Sequence, residues 1–136
     1  MTVQGSTNFM SIDDFLEKLK LQFAADPTAR TSLDKTFEKW ISESNVSEAE
    51  ALDSISERLA YGYSTKELDF EFCSALMRRL RTYAAKRVWP PLFVAVFVAF
   101  DSGEFYHEES DPRDVEPSEL HTRPLIDAIL CRLRDK

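Results

Sequence analysis

The residues best equipped for chemistry lie in one stretch, 101–119. Within it Glu104-Phe105-Tyr106-His107 spells E-x-x-H. On a helix, that spacing sets a carboxylate and an imidazole on one face. Di-metal helical bundles use two such motifs together with two further carboxylates. This chain carries one copy, and its second histidine, His121, falls in a proline-punctuated segment. A metal centre on Glu104 and His107 would have to recruit Asp13, Asp14 or Asp111, or form between two copies of the chain. The simpler expectation is a half-exposed, hydrogen-bonded His107, with no metal and no cofactor.

Other catalytic patterns are missing. No serine sits in a glycine elbow, and neither cysteine has a histidine near it in sequence. The three glycines stand alone, so no loop can cradle a phosphate with its backbone. The sequence therefore points away from an enzyme.

Charge is distributed unevenly. Between Asp101 and Glu119 there are eight acidic residues and one basic residue, Arg113. The segment 78–87 is basic, with Arg78, Arg79, Arg81, Lys86 and Arg87. Cations in the last turns of a helix are stabilising in themselves. The functional alternative is a patch for phosphate or an acidic partner. A third reading has the two segments facing each other as a layer of surface ion pairs. The net charge of −7 excludes general nucleic-acid binding, which needs a basic surface. It also counts against a helix-turn-helix role for 66–87.

What remains is binding. Asp101, Glu104, Phe105, Tyr106, His107, Glu108, Glu109 and Asp111 have the composition of a protein interface: aromatic rings supply area and carboxylates steer a basic partner. Deep, basic clefts belong to nucleases, among others, because their sites must attract phosphate. The expected function is a non-catalytic interaction protein, a small acidic inhibitor of immunity or antitoxin type. One alternative is a metal-binding helical-bundle enzyme using Glu104 and His107. Another is a homo-oligomeric scaffold, a homodimer for example, with the apolar stretch 89–100 partly at the subunit interface.

The elements that must position these groups can be read from periodicity. Residues 1–10 read as a flexible arm and 11–136 as one helical domain. Ser11 caps a first helix whose apolar positions are Ile12, Phe15, Leu16, Leu19 and Phe23. Asp26-Pro27 stops it. A second helix covers about 28–42, with Leu33, Phe37, Trp40 and Ile41 on one side, and Ser44-Asn45 turns the chain. Ser47 with Glu50 forms a capping box for a third helix, which ends near Gly62 in a left-handed C-terminal conformation. Ser64 with Glu67 forms a second box. It opens the longest helix, 65–87, which is apolar over two stripes and so must touch neighbours on two sides.

Pro90-Pro91 breaks that helix and starts anew. The run 92–100 has no polar side chain. It can be a buried strand turning at Asp101-Ser102-Gly103 into a hairpin over 92–108. It can equally be a buried helix continuing through Gly103 to about Glu109. A lone hairpin would have no sheet to join, so the helix is expected. Thr122 is expected to cap a last helix buried through Leu125, Ile126, Ile129, Leu130 and Leu133. The fold class is thus all-α, a bundle of five to six helices around a buried central helix.

Composition agrees. With 43% hydrophobic and 30% charged residues the chain suits a globular fold rather than disorder. Cys73 and Cys131 read as reduced core thiols. The N-terminus lacks the apolar core of a secretory signal, and 92–100 is far short of the about 20 residues that span a bilayer. A cytoplasmic location without membrane contact is expected.

Overall fold

The computed structural model describes residues 11–25, 30–85, 87 and 89–135. Six α-helices follow in order: α1 (Ile12–Ala25), α2 (Arg30–Ser44), α3 (Glu48–Ser64), α4 (Phe70–Tyr83), α5 (Pro91–Ser102) and α6 (Arg123–Arg134). A π-helical turn, Ser118–Thr122, leads into α6. No strand occurs among the described residues, so the all-helical bundle is formed and the 92–108 hairpin is not. The 1–10 arm and the Asp26-Pro27 stop lie outside the described residues.

Local chemistry sets most helix starts. The Ser11 hydroxyl accepts the Asp14 amide at 3.1 Å. Ser47 and Glu50 complete a reciprocal box, each side chain accepting the other's backbone N–H at 3.1 and 3.2 Å. Such a cap contributes about 1 kcal/mol. The second box, Ser64 with Glu67, starts nothing. Helix α3 runs on through Ser64, and Asp69 caps α4 by accepting the Phe72 amide at 2.8 Å. The longest helix expected over 65–87 is therefore the shorter α4.

The cause is at the end of α3. Gly62 is inside the helix and packs against Leu68: a Cβ there would lie 2.7 Å from Leu68 Cγ. The left-handed position belongs to Lys66, with φ 67°. Its amide donates to Tyr63 O at 3.1 Å, and the Leu68 amide donates to Gly62 O at 3.0 Å. Gly62 is thus a glycine of close approach, not the left-handed cap expected from sequence.

The core gathers side chains from every helix. Trp40 stacks on Phe15 with ring centroids 4.7 Å apart, and Phe37 meets Tyr83 edge-on at 5.2 Å. Helix α4 buries Phe72, Cys73, Leu76, Met77 and Leu80, and it packs on α2, α3 and α5 as its two stripes require. Helix α5 packs on α3, α4, α6 and the π-turn. Phe93, Val96, Ala99 and Phe100 are buried, each of the larger three stabilising the fold by roughly 1.5–3 kcal/mol.

Its opposite side is not covered. Val94 is 37% and Val98 50% exposed, so the expectation that the whole apolar run is swallowed is corrected. Leu125 is likewise 41% exposed, and Cys131 is exposed. Each is one residue, a rotation of 100°, away from the α6 stripe Ile126, Ile129 and Leu130. Cys73 alone is a core thiol, and burial pushes its pKa up.

Helix α5 stops at Ser102 rather than near Glu109. Gly103 presses against the π-turn: a Cβ there would lie 2.8 Å from Ser118 Cα and collide with the Thr122 hydroxyl. That hydroxyl donates to Ala99 O at 2.6 Å, in the buried interior. Thr122 is itself helical and makes no side-chain cap bond, so its expected capping role is replaced by this tie to α5.

Two outcomes follow from this packing. Gly103→Ala should destabilise the fold by about 1–3 kcal/mol through overpacking, read as a lower midpoint in urea with unchanged slope. A thiol reagent should modify Cys131 in the native protein and reach Cys73 only on unfolding, which mass spectrometry of each peptide resolves.

Candidate functional site

Because α5 ends early, residues 104–116 form a loop, and Glu104 and His107 do not share a helix face. Glu104 turns back onto α4. It accepts the Ser74 hydroxyl at 2.6 Å and forms an ion pair with Arg78. His107 goes elsewhere: its Nε2–H donates to Ser102 O at 2.7 Å, and its ring stacks on His121 with centroids 3.5 Å apart and planes 5° apart. The geometry an E-x-x-H metal ligand pair needs is absent. Among the described residues no group of three or more His, Cys, Asp or Glu could hold a metal ion. Asp13 binds Arg58 instead, at 2.7 Å.

Asp111 is the hub of the loop. Its Oδ2 accepts His121 Nε2–H at 2.9 Å, the His107 amide at 2.9 Å and the Glu108 amide at 3.4 Å. The bond from His121, then that from the His107 amide, holds its carboxyl below the ordinary range. The other half of the loop is tied by Tyr106. Its hydroxyl donates to Val115 O at 2.7 Å and approaches Arg113 O at 3.2 Å, while the Arg113 guanidinium covers its ring at 4.2 Å. Where the loop enters the π-turn, Glu119 accepts Arg123 at 2.7 Å and Tyr63 at 3.2 Å. The pairing with Arg123 holds the Glu119 carboxyl low, whereas burial pushes the Tyr63 phenol up to about 12.

Of the eight acidic residues in 101–119, Glu104, Asp111 and Glu119 are thus engaged internally. Asp101, Glu108, Glu109, Asp114 and Glu116 are exposed and have no ion pair among the described residues. Among them Phe105 is 77% exposed. The basic segment is mostly consumed. Arg78 holds Glu104, Arg79 grips Asp34 at 2.6 and 3.2 Å, and Arg87 holds Glu48 at 2.8 Å. Arg81 lies over the Phe97 ring at 5.2 Å. Lys86 lies outside the described residues.

Of the eight residues grouped from sequence, seven lie in the loop and Asp101 lies on α5; the stack on His121, the hub role of Asp111, and the clasp of Tyr106 by Arg113 and Val115 were not foreseen. No sequence signal pointed to these contacts, because they join loop residues with no fixed periodicity. No helix among the described residues is long and apolar enough to cross a membrane. No protein-family model matches the sequence, and neither a curated protein nor a solved structure shows significant similarity to it.

The Asp111 bonds give the loop a defined acid response. A carboxyl whose folded pKa lies below its ordinary 3.8 contributes its order fully above 3.8, and loses it as pH falls through the lowered folded value. Amide exchange at His107 and Glu108, corrected for intrinsic rates, should show steady protection from neutral pH down to that region and loss below it. In Asp111→Ala both amides should exchange fast at every pH while the α3 and α4 core stays protected. Unchanged exchange in that variant would remove Asp111 as the hub.

Proposed function

We propose that this chain is a non-catalytic, cytoplasmic binding protein, an inhibitor of immunity or antitoxin type, that presents the 104–116 loop, with Asp101 at the end of α5, to a basic protein partner such as a nuclease. The observation that carries this reading is Phe105, 77% exposed on a loop fixed by its own hydrogen bonds and flanked in sequence by exposed carboxylates that have no ion pair among the described residues. An exposed ring gains affinity by entering a pocket. Unpaired carboxylates attract a basic cleft from a distance and speed the encounter. A loop already held in shape loses little conformational entropy when it docks.

The roles divide along the loop. Glu108, Glu109, Asp114 and Glu116 supply the field, Asp101 extends it onto α5, and Phe105 supplies the anchor. Tyr106, His107 and Asp111 hold the shape. Glu104 fastens the loop to α4 through Ser74 and Arg78.

The test uses the full chain as bait for a basic protein of its own cell, followed by calorimetry on the isolated pair. The double variant Glu108→Lys with Glu109→Lys should bind at least about tenfold more weakly with an unchanged circular dichroism spectrum. Phe105→Ala should lose a comparable factor mainly through faster dissociation. The association rate of the unmodified protein should fall as salt rises. Equal affinity in the double variant would sink the reading.

A further inference from the structure

A cleft of about 260 Å³ opens between the end of α3, the start of α4 and the entry into α6. It shares no lining residue with the 104–116 loop. Tyr63, Leu68 and Phe70 form its apolar part and continue into the core. The Tyr63 and Phe70 rings meet edge-on with centroids 6.5 Å apart, and both touch Phe100. Lys66, just after α3, and Arg123, at the start of α6, bring cations to the same space.

The charges of the cleft are not equally free. Glu119 accepts the Arg123 Nε–H at 2.7 Å and the Tyr63 hydroxyl at 3.2 Å. Asp69 gives its Oδ1 to the Phe72 amide as the cap of α4. The cations keep donors in hand. Arg123 lies over the Tyr63 ring at 4.4 Å, and neither of its Nη groups has a hydrogen-bond partner among the described residues. Lys66 makes no ion pair among the described residues, although after Arg123 its charge helps hold the Glu119 carboxyl below its ordinary range.

Backbone geometry marks Lys66 as well. Asn45 and Lys66 are the described non-glycine residues with positive φ, and Lys66 has φ 67°. Asparagine is at home in that region and lysine is not. Glycine would end α3 there at lower cost. The chain thus holds an ammonium at the rim of the cleft against the local preference, and strain of this kind gathers at ligand clamps.

We infer that the cleft binds a small organic anion built of an aromatic ring and a carboxylate, the carboxylate between Lys66 and the Arg123 Nη groups and the ring against Phe70. The end of a guanidinium meets a carboxylate with two parallel N–H bonds, and such charge-assisted bonds are stronger than neutral ones. An aromatic side chain matches a flat ring. Size sets the limit: the cleft lies below the range that takes drug-sized ligands, so it suits a single ring. A phosphate monoester would bring a second negative charge toward Glu119 and Asp69. An uncharged aromatic would leave both cations unpaired. The net charge of −7 repels anions at a distance, so affinity arises on contact and is modest, with Kd about 1 mM for the simplest such acid.

The test titrates benzoate into the full isotope-labelled chain to about 20 mM at constant ionic strength and follows amide shifts by NMR. Saturable shifts should appear at Lys66, Phe70, Glu119 and Arg123. Benzyl alcohol, which lacks the charge, and acetate, which lacks the ring, should each bind at least about tenfold more weakly. Lys66→Gly removes the ammonium where glycine relieves the backbone. It should weaken benzoate several-fold without lowering the thermal midpoint, so that lost binding is not lost fold. Arg123→Gln, compared by circular dichroism, should weaken benzoate about tenfold. No saturable shift at these amides overturns the inference. Acetate binding as tightly as benzoate overturns it too, because the ring would then have no site, as does a benzoate affinity unchanged in Lys66→Gly.

Discussion

Within nine consecutive residues that have no polar side chain, Phe93, Val96, Ala99 and Phe100 leave water, and this constraint organises the bundle. A helix is the form in which such a run satisfies its own backbone, and α3, α4 and α6 take up one side of it. Both ends are tied by side chains from elsewhere in the chain. Asp53 on α3 accepts the Phe93 amide at 3.2 Å at the start, and Thr122 donates to Ala99 O at 2.6 Å near the end. The first tie is made against a desolvation that raises the Asp53 carboxyl above its ordinary value. The second pulls the π-turn so close that only glycine fits at 103. Where α5 stops, and therefore where the acidic loop emerges, follows from that contact rather than from helix propensity.

The charged residues serve a different purpose. Arg58 joins Asp13 on α1 to Glu67 after α3, Arg79 joins α4 to Asp34 on α2, and Arg87 reaches Glu48 at the start of α3. Exposed pairs of this kind contribute at most about 1 kcal/mol each, so they do not hold the fold together against the loss of its core. They do consume the cations. The arginines that give the chain its basic segment are spent mostly on carboxylates of other helices, and the negative excess is left on the loop, where cations are fewest.

Most of the architecture was legible because it rests on periodicity and capping. Phe15, Leu19, Phe37, Trp40, Leu52, Ile55, Leu59, Cys73, Leu76 and Met77 recur at helical spacing and are buried. Ser11 and Ser47 announce their helices. The misreadings share one cause: a local signal lost to a non-local contact. Ser64 with Glu67 has the form of a capping box, but Leu68 packing on Gly62 carries α3 past it. Thr122 and Pro124 look like a helix start, but the hydroxyl is drawn to Ala99. Glu104 and His107 have helical spacing only if α5 continues, and the π-turn prevents that. The loop was legible in composition alone. No rule of spacing brings His107 onto His121, or sets Asp111 between an imidazole and two amides.

The loop and the outer face of α5 meet at Asp101, yet they obey different physics. The loop owes its shape to polar bonds and hardly to burial: Phe105, its most apolar residue, lies outside. The field of its exposed carboxylates is long-ranged and screened by salt. The α5 face before Asp101 carries no charge, so salt has no field there to screen. Since Asp101 is the last residue but one of α5 and lies two residues before the contact at Gly103, both surfaces are referred to the same rigid point. The point where the loop leaves the helix is therefore set by the Thr122–Ala99 tie, and its shape beyond that by the bonds of Asp111 and Tyr106.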